Sequence, residues 1–388
     1  MTQELKPRIL VFGVGGAGGN AINNMIEANL QGVEFVTANT DAQALSRSRA
    51  DHRLQLGLGT TSGLGAGARP EVGAKAAEES LDEIRARLEG AHMVFIAAGM
   101  GGGTGTGAAP VVAQVAKELG ALTVAVVSKP FTYEGKKCMD IANEGLDELG
   151  KHVDSLIVIL NEKLEEIYED DSMVEWLQHA DDVLNNAVAG IAEIINVPGH
   201  INVDFNDVKT IMAEQGKAMM GTAVASGVDR ARIAAEQAIA SPLLDGIDLS
   251  GARGVLVNVT GSRSLKGKEI KEVMATVRAF AAEDASIAQG IAYDESMGEE
   301  IRVTVVATGL GRARRPQLVS NPVAVQRTGT YNEPVSGGDA VPGANQTFDP
   351  IRTPAVWRRE SASETVRAME RNGTETYDIP AFLRRQAD

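Results

Sequence analysis

Short apolar runs separated by polar, glycine-rich punctuation dominate the first 160 residues. The runs cover Arg8 to Phe12, Val33 to Ala38, Met93 to Ala98, Leu122 to Val127 and Ser155 to Leu160. Each apolar run, followed by a glycine-rich or polar turn, reads as a strand. Between them, Ala21 to about Ala28, Arg69 to Leu88 and Ala108 to Leu119 carry helical spacing. Alternating strands and helices predict a parallel sheet with its ligand at the carboxyl ends of the strands.

The longest periodic segment follows. Ser172 and Glu175 form a capping box, and Leu177, Ala180, Leu184, Ala187, Val188, Ile191, Ile194 and Ile195 recur at helical spacing until Pro198-Gly199. A helix of about 25 residues is ~38 Å long and can bridge two domains. Beyond it the pattern predicts a helix over Val208 to Met220, strands at Gly254 to Val259 and Arg302 to Thr308, a helix over Lys268 to Phe280, and a further strand near Ile287 to Tyr293. The expected fold class is α/β. A Rossmann-like parallel-sheet domain spans residues 1–172, a central helix 173–198 and a smaller α/β domain 199–311.

Two glycine clusters sit where strands turn into helices. Gly99 to Gly107 holds six glycines in nine residues, with Thr104 and Thr106 among them. Glycine loses the most backbone entropy on folding, so such density needs a local cause, and close approach of backbone N–H groups to a phosphate supplies one. The earlier cluster, Gly13 to Asn20, contains GxGxxG as Gly13, Gly15 and Gly18. Alone, that match also suits a dinucleotide-binding oxidoreductase, with Glu34 or Asp41 as the ribose acid. The second loop argues against it, because two loops converging from neighbouring strands can enclose a longer phosphate chain. No GxxxxGK[ST] P-loop occurs. Gly63, Gly65 and Gly67 mark a third glycine-rich loop.

Composition narrows the function. The net charge of −15 argues against a general nucleic-acid binder, which needs basic surface to displace counterions. The single cysteine, Cys138, excludes an internal disulfide framework, and five scattered histidines show no metal-ligand pairing. No apolar run approaches the ~20 residues of a membrane span, and the first eight residues lack a signal-peptide core, so a cytoplasmic protein without direct membrane insertion is expected. Charge is uneven: residues 1 to 311 carry 26 basic and 43 acidic side chains, net −17, whereas the rest carries 11 arginines, no lysine and 9 acids. Seven of the 13 prolines fall in that last part, which predicts a disordered linker over 312–376 and a terminal docking peptide over 377–388.

The run Gly101-Gly102-Gly103-Thr104-Gly105-Thr106-Gly107 resembles the nucleotide-phosphate loop of the tubulin superfamily, in its bacterial cell-division branch. The resemblance covers most of residues 8 to 311 and returns at Asp378-Ile379-Pro380-Ala381-Phe382-Leu383-Arg384-Arg385-Gln386. It implies a GTPase that polymerises head to tail into filaments of the division ring at the mid-cell site, on the inner face of the membrane. GTP or GDP with Mg²⁺ would lie on Gly16, Ala17, Gly18, Gly19 and Asn20 and on Gly103, Thr104, Gly105 and Thr106. Glu134 would face the ribose, and Asn161 and Asp181 the guanine, whose N1 and N2 donors adenine lacks. The Asn39-Thr40-Asp41-Ala42-Gln43-Ala44-Leu45 loop would lie beside the nucleotide, although Asp41 is equally a helix cap. The Thr60–Ala68 loop would flank the terminal phosphate.

Two departures are visible. Cys138 stands where the family has an arginine near the phosphates, and a thiol cannot make guanidinium's bidentate contacts. Lys136 or Lys137 could substitute as a point charge, and a scaffold with degenerate hydrolysis stays open. Leu177 stands where an aromatic often stacks on the base. Catalysis is implied for Asn202, Asp204 and Asp207, Asp204 being equally able to cap the following helix. Asp181 and Asp204 lie near opposite ends of one helix, ~30 Å apart, so the acids would act on a neighbouring subunit's nucleotide. The terminal peptide would bind membrane-tethering and regulatory division proteins.

Overall fold

A computed structural model of the chain describes residues 7–196, 203–213, 217–241, 252–282 and 285–310. Asn202, the linker over 312–376 and the peptide over 377–388 lie outside these. Ten strands form one sheet: β1 (Ile9–Val14), β2 (Glu34–Asn39), β3 (His52–Gln55), β4 (Met93–Gly99), β5 (Leu122–Ser128), β6 (Ser155–Ile159), β7 (Lys217–Ser226), β8 (Gly254–Gly261), β9 (Ser286–Tyr293) and β10 (Glu300–Leu310). Their spatial order is β3-β2-β1-β4-β5-β6-β7-β10-β8-β9. Pairing is parallel from β3 through β7, and β10 runs antiparallel to both β7 and β8. The two expected domains thus share a sheet, joined where Leu156 and Ile157 pair with Lys217 and Ala218.

Among the described residues twelve α-helices connect the strands: α1 (Gly15–Glu27), α2 (Ala42–Ser46), α3 (Leu58–Thr61), α4 (Pro70–Glu79), α5 (Leu81–Leu88), α6 (Thr104–Glu118), α7 (Lys136–His152), α8 (Asn161–Ile167), α9 (Met173–Asn196), α10 (Phe205–Met212), α11 (Arg230–Ile239) and α12 (Gly267–Phe280). The strand residues Leu10, Phe12, Val94 and Ile96 pack with α4 to α7 on one face, while Ile9, Val11, Met93 and Phe95 pack with α1, α9 and α10 on the other. Burial on both sides explains why β1, β4 and β5 read as unbroken apolar runs. A third cluster sets α11 and α12 against β7, β8 and β10.

Several local expectations need correction. Gly15 to Asn20 form the first turns of α1, and α6 starts inside the second glycine run, because these glycines are packed into helix starts. The segment from Arg69 to Leu88 is two helices. Ser80 leaves helical geometry (φ −104°, ψ 19°) and its Oγ accepts the Gly57 N–H at 3.1 Å. The helix expected over Val208 to Met220 ends at Met212, and Lys217–Ser226 is β7 instead. Its small residues carry no clear strand signature. The Ser172–Glu175 capping box is present in both directions, at 2.7 and 3.4 Å.

The course of α9 is fixed at both ends. The Trp176 ring stacks on Phe131, just after β5, with centroids 6.2 Å apart. At the other end Asn196 Nδ2 donates to the Gly32 carbonyl, ahead of β2, at 2.7 Å. The helix therefore crosses the full depth of the sheet from the carboxyl to the amino ends of the parallel strands. Among the described residues no helix is long and apolar enough to cross a membrane.

Candidate nucleotide site and acid loop

β1 and β4 are paired neighbours, Val14 opposite Ala98, so the two glycine turns leave the sheet side by side. The glycines are there because nothing larger fits. A Cβ on Gly18 would lie 2.3 Å from the Ala97 carbonyl oxygen, and one on Gly105 2.4 Å from that of Gly99. A Cβ on Gly15, whose φ is +77°, would come within 2.9 Å of Gly105 N, so the loops touch each other. Above Gly16 and Gly102, by contrast, no atom lies within 4 Å of a built Cβ.

Neither α1 nor α6 has a side-chain cap on its first N–H groups. Two adjacent helix starts with free donors and the positive ends of their dipoles make an anion cradle. Gly16, Ala17 and Asn20 are exposed there, Gly18 is buried and Gly19 half-buried. Gly103 and Gly105 are buried at the start of α6. Thr104 Oγ1 lies 2.6 Å from Thr40 Oγ1, which ties the loop to the end of β2. Thr106 works from below: 3 % exposed, it accepts the Gly101 N–H at 2.9 Å and shapes the loop.

Toward β5 and β6 lie the groups assigned to sugar and base. Glu134 is exposed after β5, one carboxylate oxygen accepting the Phe131 N–H at 2.9 Å. Cys138 is half-buried in the first turn of α7, and a Cβ on Gly101 would lie 3.0 Å from its carbonyl oxygen. The glycine loop thus leans on the backbone of this turn, where Lys136 and Lys137 are exposed. Asn161 begins α8, is 5 % exposed, and its Oδ1 has no hydrogen-bond partner. Burial, with Asp182 beside it, pushes the Asp181 carboxyl up to about 7. A buried acceptor without a donor and a carboxyl starved of solvent are both improved by N–H donors such as those of guanine. Asp182 accepts Asn24 Nδ2 at 3.1 Å, joining α9 to α1.

Toward β2 and β3, Asp41 caps α2 by accepting from Gln43 N at 2.8 Å, as its position allows. The Gly63–Arg69 segment folds over this end, with Ala42 N donating to Gly63 O and Gly65 N to Thr40 O. From Asn161 after β6 to Thr40 after β2 the order is β6-β5-β4-β1-β2. Four inter-strand steps of about 4.8 Å give roughly 19 Å, room for an extended nucleoside triphosphate.

The acid loop is elsewhere. Asp204 caps α10, accepting the Asn206 N–H at 3.3 Å, and Asp204 and Asp207 are both exposed. The Phe205 ring sits edge-on to His92, 6.3 Å away, and His92 precedes β4 at its amino end. Thr308 Oγ1 donates to the Ile211 carbonyl at 2.8 Å, fixing α10 on β10. The acids and the phosphate loops therefore lie at opposite ends of β4, about 20 Å apart along the strand. Within one subunit the structure does not bring them together.

Sequence reasoning missed the Thr40–Thr104 and Asn24–Asp182 pairs, 64 and 158 residues apart in the chain. No local signal announces such contacts. Among the described residues no three His, Cys, Asp or Glu side chains gather as a metal cage.

Residues 8–169 match the model of the tubulin/FtsZ family GTPase domain, and residues 216–311 that of the FtsZ family C-terminal domain. The cell division protein FtsZ of Pseudomonas putida is 50 % identical over 389 residues, 98 % of this chain and 97 % of that one. The Caulobacter vibrioides protein of the same name is 55 % identical over 324 residues, 83 % of this chain and 64 % of that one. Among solved structures, an empty FtsZ dimer from M. jannaschii aligns with TM-score 0.76 and 46 % identity, covering 80 % of this chain and 89 % of that one. CetZ1 of Haloferax volcanii, at 21 % identity and TM-score 0.69, covers 79 % of this chain and 96 % of that one and shares the fold. A dinucleotide-dependent oxidoreductase is not favoured by any of these likenesses. With the double phosphate cradle, the sheet-deep helix and both domain models in register along it, this chain belongs to the FtsZ family, the GTP-binding, GTP-hydrolysing cytoskeletal proteins of cell division.

Proposed function

We propose that the GTPase site is completed between subunits, the acid loop of one chain closing over the nucleotide of the next in a head-to-tail filament. The observation that carries this is the separation of Asp204 and Asp207 from the phosphate loops by the length of β4. Water activation requires hydrogen-bond reach of the attacking oxygen, which these acids lack in an isolated monomer. The nucleotide rim supports the reading: Leu64 and Val174 expose well over half of their surface around it and Tyr133 and Leu177 about half, an apolar margin for a partner to cover. A head-to-tail contact between unlike surfaces repeats without closure and builds a filament.

In this reading Gly16–Asn20 and Gly103–Thr106 hold the phosphates, Glu134 the ribose, and Asn161 and Asp181 the guanine. Cys138 leaves the α-phosphate side without a guanidinium. Asp204 and Asp207, with Asn202, orient and polarise the attacking water on the neighbour. Mg²⁺ would ride on the phosphates and partly neutralise them, as this cation does where the protein offers few ligands. The terminal peptide Asp378–Gln386 would dock on membrane-tethering and regulatory division proteins, placing the filament at mid-cell.

The test is GTP turnover per subunit measured against protein concentration, with sedimentation in parallel. Turnover should be near zero below a threshold and rise with sedimented protein. Asp207→Ala should bind GTP and sediment but turn over at least about 100-fold more slowly. Constant turnover per subunit down to dilute monomer would refute the shared site.

A further inference from the structure

We infer that Arg69 supplies the guanidinium that contacts the terminal phosphate of GTP. This rests on GTP lying across the two glycine loops with its base toward β6. The backbone of Arg69 is built into the phosphate loop: a Cβ on Gly103 would meet Arg69 N at 2.8 Å and Arg69 O at 3.2 Å. Arg69 also ends the Gly63–Arg69 segment and begins α4, its carbonyl accepting Val72 N at 3.1 Å and Gly73 N at 3.2 Å. The residue is thus fixed in place, and only its side chain is free.

That side chain is exposed. Its Nε lies 3.9 Å from a Cβ built on Gly67, so it folds over the glycine-rich segment at the β2 end of the site. Among the described residues it has no carboxylate partner, like Arg47, Arg53, Arg87, Arg253 and Arg278 and unlike Arg8, Arg49, Arg85, Arg230, Arg232, Arg263 and Arg302, and of those unpaired it is the one whose backbone packs on the phosphate-loop Gly103. A guanidinium left unpaired in a body of net charge −17, against a loop built for phosphate, awaits an anion. The strand order makes that anion the terminal phosphate. The base lies after β6, the cradle after β4 and β1, and the segment that Arg69 closes is held to the end of β2 by Gly65 N donating to Thr40 O, at the far end of the triphosphate. Cys138, on the base side of the cradle, cannot supply this charge.

The test uses the full chain, freed of nucleotide and kept below the assembly threshold, with GTP and GDP competing against a fluorescent guanine nucleotide. Arg69→Ala should weaken GTP at least about tenfold, the loss of a charge-assisted bidentate contact, and change GDP less than about twofold. Arg69→Lys should fall between, keeping charge without the planar fork. Equal weakening of both nucleotides, or a GTP affinity that does not move, would overturn the assignment. So would altered sedimentation with unchanged monomer affinity, which would make Arg69 a contact to the next subunit. Failure of the site itself looks different: the unsubstituted chain would bind neither nucleotide, and the inference would fall with it.

Discussion

In the proposed reading Asp181 links base recognition to pH. Burial beside Asp182 moves its carboxyl from 3.8 to about 7 in the nucleotide-free protein. Guanine held through N1–H and N2–H needs the ionised carboxylate, so binding must expel whatever proton is present. With 7 in the free protein and a much lower value in the complex, the apparent Kd rises over its alkaline limit by about 1.1-fold at pH 8, 2-fold at pH 7 and 11-fold at pH 6. The span from pH 8 to pH 6 is thus about tenfold, or ~1.4 kcal/mol. Calorimetry at these pH values, in two buffers of different ionisation enthalpy, should count about 0.9 proton released per GTP at pH 6 and about 0.1 at pH 8. Phosphate oxygens of the nucleotide titrate nearby, so Asp181→Asn is the reference: it keeps the phosphate contribution and loses the rest. An equal pH slope in the parent and in Asp181→Asn would refute the reasoning. Folding carries the opposite sign. The native state holds a proton that the unfolded chain has released, so stability falls as pH rises between 3.8 and about 7, and Asp181→Asn should escape that fall.

Gly105→Ala places a methyl 2.4 Å from the Gly99 carbonyl oxygen, backbone against backbone, and should cost about 1–3 kcal/mol in denaturant unfolding along with nucleotide binding. Arg230, with 6 % side-chain exposure, donates to Glu269 at 2.7 Å, and Arg230→Met should destabilise the fold by about 3–5 kcal/mol by stranding that carboxylate. The guanidinium holds Glu269 below its ordinary 4.5, so the parent's advantage is complete above that pH and shrinks as pH falls through the lower folded value. Deleting Asp378 to Asp388 should leave GTP turnover within twofold of the parent and abolish co-sedimentation with a membrane-tethering division protein; lost turnover would contradict the separation of roles.

The central strands and the long helix were legible because their burial is written in composition: β4 and β5 are apolar almost throughout, and α9 repeats its core residues at helical spacing. Strand β3, four residues reading HRLQ, carries almost no apolar signal, and β7 hides in small residues that also suit a helix. The two glycine turns, side by side after β1 and β4, were visible as glycine density. What that density does not reveal is division of labour, such as Thr104 tied to Thr40 or Arg69 packed against Gly103. Such facts depend on where chain segments meet, and no local pattern records a contact made 30 to 160 residues away.

The narrow joint between β6 and β7 has a mechanical consequence. Among the described residues those strands pair at Leu156↔Lys217 and Ile157↔Ala218, whereas β10 is registered with β7 from Glu300↔Ser226 to Ala307↔Met219. In a filament, tension would enter a subunit at α10, anchored on β10 through Thr308, and leave it at the glycine turns after β1 and β4. Load between them is shared by those two residue pairs, by the body of α9, whose Gly190 and Ile194 nest against Thr304 and Gly290, and by the packing of α10 on β1 and β4. Pulled along its axis, each subunit would yield at this seam first, with the helix as the strut that shares the load.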